Sequence, residues 1–312
     1  MVPSSLTATF NRVTDPRPLL VISACLLGDP VRYDGDHKRD SFLVGPLADH
    51  VLWLSICPEV ELGLGVPREK IQLEVATGGI QLVACQSRRD LTGAMQDWAA
   101  GWASSQQERE ICGFVLKSGS PSCGIGDVRV KEAEGFSREG TGLFAETVMR
   151  SFPGIPVTTE KQIHQPGQLE HFLVRIFARQ RLLKLLAEPR ADRRQQLLGE
   201  EQMLLETHRQ GSFEELVAIQ EEGELVEKHA SLLSRPVAWK EHRRALLAAS
   251  GQLQGESSRD LERRIDATLG DSRWTRWTTE LLEQARHQGS PLASQSYLQP
   301  LPAGCLPAEA GC

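Results

Sequence analysis

The stretch Leu19-Leu20-Val21-Ile22-Ser23-Ala24-Cys25-Leu26-Leu27-Gly28 sets the reading of the chain. A short apolar run without alternation, closed by turn residues, is the pattern of a strand buried on both faces, as in a parallel sheet. It returns at Val51-Leu52-Trp53-Leu54-Ser55-Ile56, which stops at Cys57-Pro58, and at Phe114-Val115-Leu116, which stops at a cluster of serines and glycines. Between these runs, residues 71–75 and 80–84 flank Thr77-Gly78-Gly79 and predict a hairpin. Helical patterns cover 92–107 and 142–150, and Ile155-Pro156-Val157 predicts a last short strand. This alternation predicts an α/β fold over 18–160, a layered, mostly parallel, Rossmann-like sheet.

Beyond residue 165 the strand signals stop. Over 168–186, Leu169, Phe172, Leu173, Ile176, Phe177 and Leu183 recur at near-helical spacing and predict a long amphipathic helix. Further helical patterns at 193–208, 213–233, 237–249, 258–269 and 275–285 are punctuated by Gly211, Pro236, Gly251 and Gly270. The expectation is an all-α domain over 165–288. A tail at 289–312, rich in Pro, Gly, Ser and Ala, is expected to be flexible.

A length of 312 residues fits two domains better than one core. Hydrophobic content of 40% and charged content of 24% are ordinary for a globular protein. No apolar run has the length of a membrane span, and residues 1–18 lack the pattern of a secretory signal, so a cytoplasmic protein is expected. Seven cysteines, an odd number, then read as reduced thiols or metal ligands. A net charge of -6 neither requires nor excludes nucleic acid. An RNA would need local basic patches. Candidates are Arg175, Arg179, Arg181 and Lys184, then Arg190, Arg193 and Arg194, then Lys240, His242, Arg243 and Arg244. Interspersed acids make a mixed solvated surface an equal reading. Trp274 and Trp277 fit a core better than a platform for bases. No segment marks an obligate protein partner.

The informative feature is where cysteines fall. Cys25, Cys57 and Cys123 each lie just past a predicted buried strand. In open parallel sheets the carboxyl ends of the strands share one edge, where ligands bind, so residues far apart in sequence can meet there. Three thiolates at one site suit a soft metal or a cluster. Any single cysteine is more often packing than ligand; Cys85, read within a strand, and Cys112, read just before one, fit packing. Glu59, two residues after Cys57, is placed for acid–base work beside a metal, or is a solvated turn residue. Ser118, Ser120 and Ser122, with Gly119 and Gly124, can hold an anion or a polar base, or serve as ordinary turn residues. Spacing alone does not separate iron–sulfur from zinc.

Three segments in order carry a resemblance: Ser-Ala-Cys-Leu-Leu-Gly with Val-Arg-Tyr-Asp-Gly (23–35), Cys-Pro-Glu with Gly-Leu-Gly-Val-Pro-Arg (57–68), and Lys-Ser-Gly-Ser-Pro-Ser-Cys-Gly (117–124). Together they resemble the thiouracil desulfidases. The resemblance implies a [4Fe–4S] cluster on Cys25, Cys57 and Cys123, one iron left free to take the substrate's sulfur. It implies roles for Glu59 and Ser120 in proton transfer and substrate activation. Residues 170–178, Glu-His-Phe-Leu-Val-Arg-Ile-Phe-Ala, resemble the junction at which this domain meets a helical one in proteins that return 4-thiouridine in tRNA to uridine. The expected substrate is thus a thiolated pyrimidine, 4-thiouridine in tRNA, with free thiouracil or another small thioamide as the alternative. A zinc-stabilised RNA-binding protein is the rival of another class, and it lacks the fourth ligand that a closed zinc site needs.

Overall fold

The computed structural model describes residues 17–165, 168–187 and 202–237. Apart from Val237, the helices expected from 237 onward, the basic clusters at 190–194 and 240–244, Trp274, Trp277 and the tail lie outside these residues.

Four strands, β1 (Leu19–Ser23), β2 (Leu52–Ile56), β5 (Ile111–Leu116) and β8 (Val157–Thr159), form a wholly parallel sheet in the order β2-β1-β5-β8. Ser23 pairs with Ile56, and Leu116 with Thr159, so the carboxyl ends share one edge. β1 runs next to both β2 and β5, and the chain leaves it first toward β2 and later toward β5. That reversal opens the crevice where such sheets hold ligands. Neighbouring side chains of β1 serve opposite faces: Val21 joins one apolar core with Phe114 and Leu116, and Leu20 and Ile22 join a second with Val115. Burial on both sides explains why these strands read as unbroken apolar runs.

A second four-stranded sheet was not foreseen from the sequence. It contains β3 (Ile71–Ala76), β4 (Gly79–Ala84), β6 (Val128–Glu132) and β7 (Gly135–Gly140) in the order β4-β3-β6-β7, with β3–β4 and β6–β7 antiparallel. The 71–84 hairpin is present as expected. The β6–β7 hairpin escaped because most of its side chains are exposed and many are charged, which leaves only Val128, Val130 and Gly140 to mark an inner face. That face, with Leu73 and Leu82, packs on the first core beside α4 (Thr92–Ser105) and α5 (Leu143–Ser151).

The opposite face of the parallel sheet is covered by α7 (Gln168–Ala187) and by the segment containing α2 (Ser41–Val44). Short helices α1 (Ala24–Leu27), α3 (Pro58–Glu61) and α6 (Glu160–Ile163) follow β1, β2 and β8. Gly113 admits α7 closely, since a Cβ there would lie 2.8 Å from Ile176 and 3.2 Å from Phe172. Leu169, Phe172, Leu173 and Ile176 bury in the sheet's core, and Ala178, Leu182 and Leu185 enter a separate helical core. That core is completed by α8 (Gln202–His208), α9 (Ser212–Ala218) and α10 (Glu222–Leu233).

Three local expectations are corrected. The helix expected over 213–233 is two helices, because Ile219 and Glu221 take extended backbone; Leu216, Ile219 and Leu225 still share one core, so the apolar pattern runs through the break. Cys112 lies inside β5, fully buried, its Sγ 3.4 Å from the Gln180 Oε1. Cys85 follows β4 and gives its amide to the Lys70 carbonyl at 2.8 Å.

Candidate active site at the carboxyl edge of the parallel sheet

A cavity of about 310 Å³ opens at the strand ends, and Cys25, Cys57, Glu59, Ser120 and Cys123 all line it. Cys25 sits in α1, the single helical turn directly after β1, closed by Gly28 at φ 105°. Cys57 caps α3, and Pro58 opens that helix with a φ already suited to it, which sets Glu59 in its first turn. Cys123 ends a loop folded on the hydroxyl of Ser120, whose Oγ accepts from the amides of Ser122 and Cys123 at 3.2 Å each. The loop rests on the start of α5, where the amides of Phe144 and Ala145 donate to the Ser122 carbonyl at 3.0 and 3.1 Å. Gly142 makes this approach possible, because a Cβ there would lie 2.3 Å from the Ser122 carbonyl carbon.

The structure distinguishes the three serines. Ser122 is fully buried and donates to the Glu59 Oε1 at 3.1 Å. Ser118 donates to the Glu160 Oε1 at 2.5 Å. Ser120 faces the cavity, and its hydroxyl donates to no acceptor among the described residues. Glu59 is held from the other side by Arg68, whose Nε and Nη2 reach Oε2 at 2.9 and 2.5 Å. Arg68 also donates to the carbonyls of Val31 and Gly65 at 2.9 Å each, binding the first motif to the second. At the mouth, the Tyr33 ring has Arg32 at 5.4 Å and Lys70 at 5.0 Å from its centroid.

Burial pushes the Cys25 thiol up to about 12, the nearby Cys57 adds to this, and Lys117 opposes it. Burial likewise raises Cys57 and Cys123. Such thiols stay protonated until something offsets the cost of a buried negative charge, as a coordinated metal does. Among the described residues no three His, Cys, Asp or Glu side chains close on a single metal ion.

Sequence reasoning assigned no part to Arg68, Lys117 or Glu160. Arg68 and Lys117 lie within the quoted motifs, but the partners that reveal their work are remote in sequence. Glu160 opens α6 behind a Thr159–Gln162 capping box, and nothing in its own neighbourhood ties it to the cavity. Two of the proposed RNA-facing cations are spent internally: Arg175 donates to the Gly154 carbonyl at 3.3 Å, and Arg179 to that of Ile111 at 2.9 Å.

Residues 20–160 match the model of the 2-thiouracil desulfurase family. A solved [4Fe-4S]-dependent thiouracil desulfidase, TudS, is 36% identical over 47% of this chain and 93% of its own, with a TM-score of 0.40. The uncharacterized protein YbbK of Bacillus subtilis (strain 168) is 28% identical over 151 residues, 47% of this chain and 98% of its own. Through this first half, the chain belongs to the 2-thiouracil desulfurase family. No helix among the described residues is long and apolar enough to cross a membrane.

Proposed function

We propose that the protein is a desulfidase of thiolated pyrimidines, with Cys25, Cys57 and Cys123 as the three protein ligands of a [4Fe–4S] cluster. One observation carries this reading: three cysteines from three strand ends share one cavity with Glu59 and a Ser120 hydroxyl free to donate. The donor set fits the group. Three soft ligands are present, they lie around a cavity instead of converging on a point, and a cluster needs separated thiolates where zinc needs four close ones. When bound, the cluster would supply a Lewis-acidic iron able to accept the substrate's sulfur.

The chain's own residues supply the remainder. Glu59, fixed by Arg68 and Ser122, is the proton acceptor for the water that adds to the thiolated carbon. Ser120 donates a hydrogen bond to a polar atom of the pyrimidine, its own orientation set by the two amides it accepts. The walls formed by Val31, Ile56, Pro58 and Ile71 limit bulk water around the reacting carbon.

The finer substrate we propose is 4-thiouridine in tRNA, supported by the resemblance of residues 170–178 and by the helices that follow. A second reading, a free thiouracil-like base, is favoured by the internal use of Arg175 and Arg179. Anaerobic reconstitution followed by turnover tests both levels. About four irons per chain with a brown chromophore are expected, with loss of the thiocarbonyl absorbance. Stoichiometric zinc and no iron uptake overturn the cluster. Turnover of free base with none of thiolated tRNA overturns the finer substrate.

A further inference from the structure

Lys117 lines the same cavity as Cys25, and its amide donates to the Oγ of Ser23, two residues before Cys25, at 2.9 Å, yet its ammonium does not offer itself to a substrate. Its Nζ is engaged by the Glu160 carboxylate, by the Ser118 Oγ at 2.9 Å and by the Ser118 carbonyl at 3.0 Å. Three donors meet three acceptors, and the side chain is only 17% exposed. Glu160 is not part of the cavity wall. It stands behind Lys117 on α6, and its second oxygen takes the Ser118 amide at 2.8 Å. The pair's cation therefore belongs to a residue of the wall that also holds the three cysteines, and its anion to a residue outside that wall. Of the other cations in the wall, Arg68 pairs with Glu59, Arg32 with Asp34, and Lys70 lies over the Tyr33 ring, while Lys38 pairs with no carboxylate among the described residues that would hold its ammonium in place.

Resting on the cluster reading above, we propose that Lys117 is the cation that balances the thiolate charge on the Cys25 side of the site, and that Glu160 is the positioning residue that holds it there. The work is done through space, because every Lys117 donor is already occupied. The same pair ties the end of β5 to α6.

Cluster potentials respond to local charge, which gives a readout separate from turnover. The experiment is an anaerobic redox titration of the reconstituted full chain, followed by the electron paramagnetic signal of the reduced state, with iron content measured on each sample. Lys117→Met removes a positive charge and is expected to shift the potential to more negative values. Glu160→Gln removes a negative charge but keeps an amide oxygen for the ammonium, which Ser118 also holds, so the cation stays in place and the potential is expected to shift the other way. The double variant should return toward wild type, and Lys117→Arg should stay near it. If Lys117→Met fails to fold or to hold iron, the upward shift in Glu160→Gln carries the test. Wild-type protein that takes up no iron overturns the cluster reading and this inference with it. Loaded protein whose potential moves in neither single variant, or in the same direction in both, overturns the inference alone.

Discussion

Replacing Glu59 by Gln separates chemistry from architecture, and both effects can be sized. The carboxylate is 14% exposed and the guanidinium facing it 6%. Oε2 takes two Arg68 donors and Oε1 takes the Ser122 hydroxyl. Glutamine keeps this shape: its oxygen can face Arg68, and its NH2 can donate to the Ser122 Oγ. What is lost is charge. Two hydrogen bonds between opposite charges become bonds from a charged donor to a neutral acceptor, and Arg68 keeps a buried charge without its counterion. A cost of about 2–4 kcal/mol follows, read as a lower urea midpoint in the metal-free protein. Turnover loses its proton acceptor. A general base contributes about 10²–10⁴ in rate, so a fall of at least about 100-fold is expected, near 2.7 kcal/mol on the barrier. The assay is single-turnover loss of thiocarbonyl absorbance at equal iron content. Turnover close to wild type would remove Glu59 from the chemistry, and an unchanged urea midpoint would refute the ion-pair reasoning. Loss of iron would recast Glu59 as structural.

Other outcomes can be checked with similar means. Cys25→Ala, Cys57→Ala and Cys123→Ala should each lose the chromophore and most of the iron, whereas Cys305→Ala and Cys312→Ala should lose neither; an iron-replete Cys123→Ala protein would refute the ligand assignment. Gly142→Ala places a Cβ against the Ser122 backbone, and should cost at least about 1–3 kcal/mol in a thermal melt and lower iron retention, because the displaced loop carries Cys123. His171 is held down at about 4 by burial, then by Arg175 and His208, so the unfolded chain binds its proton more readily. Stability is therefore full above the ordinary histidine value of about 6.5 and falls as the pH drops through about 4. The urea midpoint at stepped pH should show that slope, and His171→Gln should flatten it; identical slopes would refute the assignment.

The parallel sheet was legible because its central strands, β1 and β5, are buried on both faces. Leu20, Val21, Ile22, Phe114 and Val115 leave no room for a polar alternation, and each run stops where the chain must turn. The β6–β7 hairpin was not legible for the opposite reason: one shallow apolar face is hidden among Arg129, Lys131, Arg138 and Glu139. The cysteines could be singled out since a strand end is a local signal, and the structure places all three in one cavity. The residues that fix the rest of the site were not readable. Arg68 acts on Glu59 across nine positions and on Val31 across thirty-seven, and Lys117 finds Glu160 across forty-three, distances over which sequence carries no geometry.

The double duty of α7 sets where this protein can be divided. The family segment ends at residue 160, but the physical unit does not: Leu20, Ile22, Cys112 and Val115 are kept from water by side chains at 169, 172, 173 and 176. A chain cut at 160 would present that sheet face as a contiguous greasy patch, and such surfaces drive association. Retaining α7 alone closes the sheet while baring Ala178, Leu182 and Leu185. Among the described residues the packed apolar faces run on through Leu233, so a fragment ending anywhere between 160 and 233 bares side chains that the longer chain keeps covered.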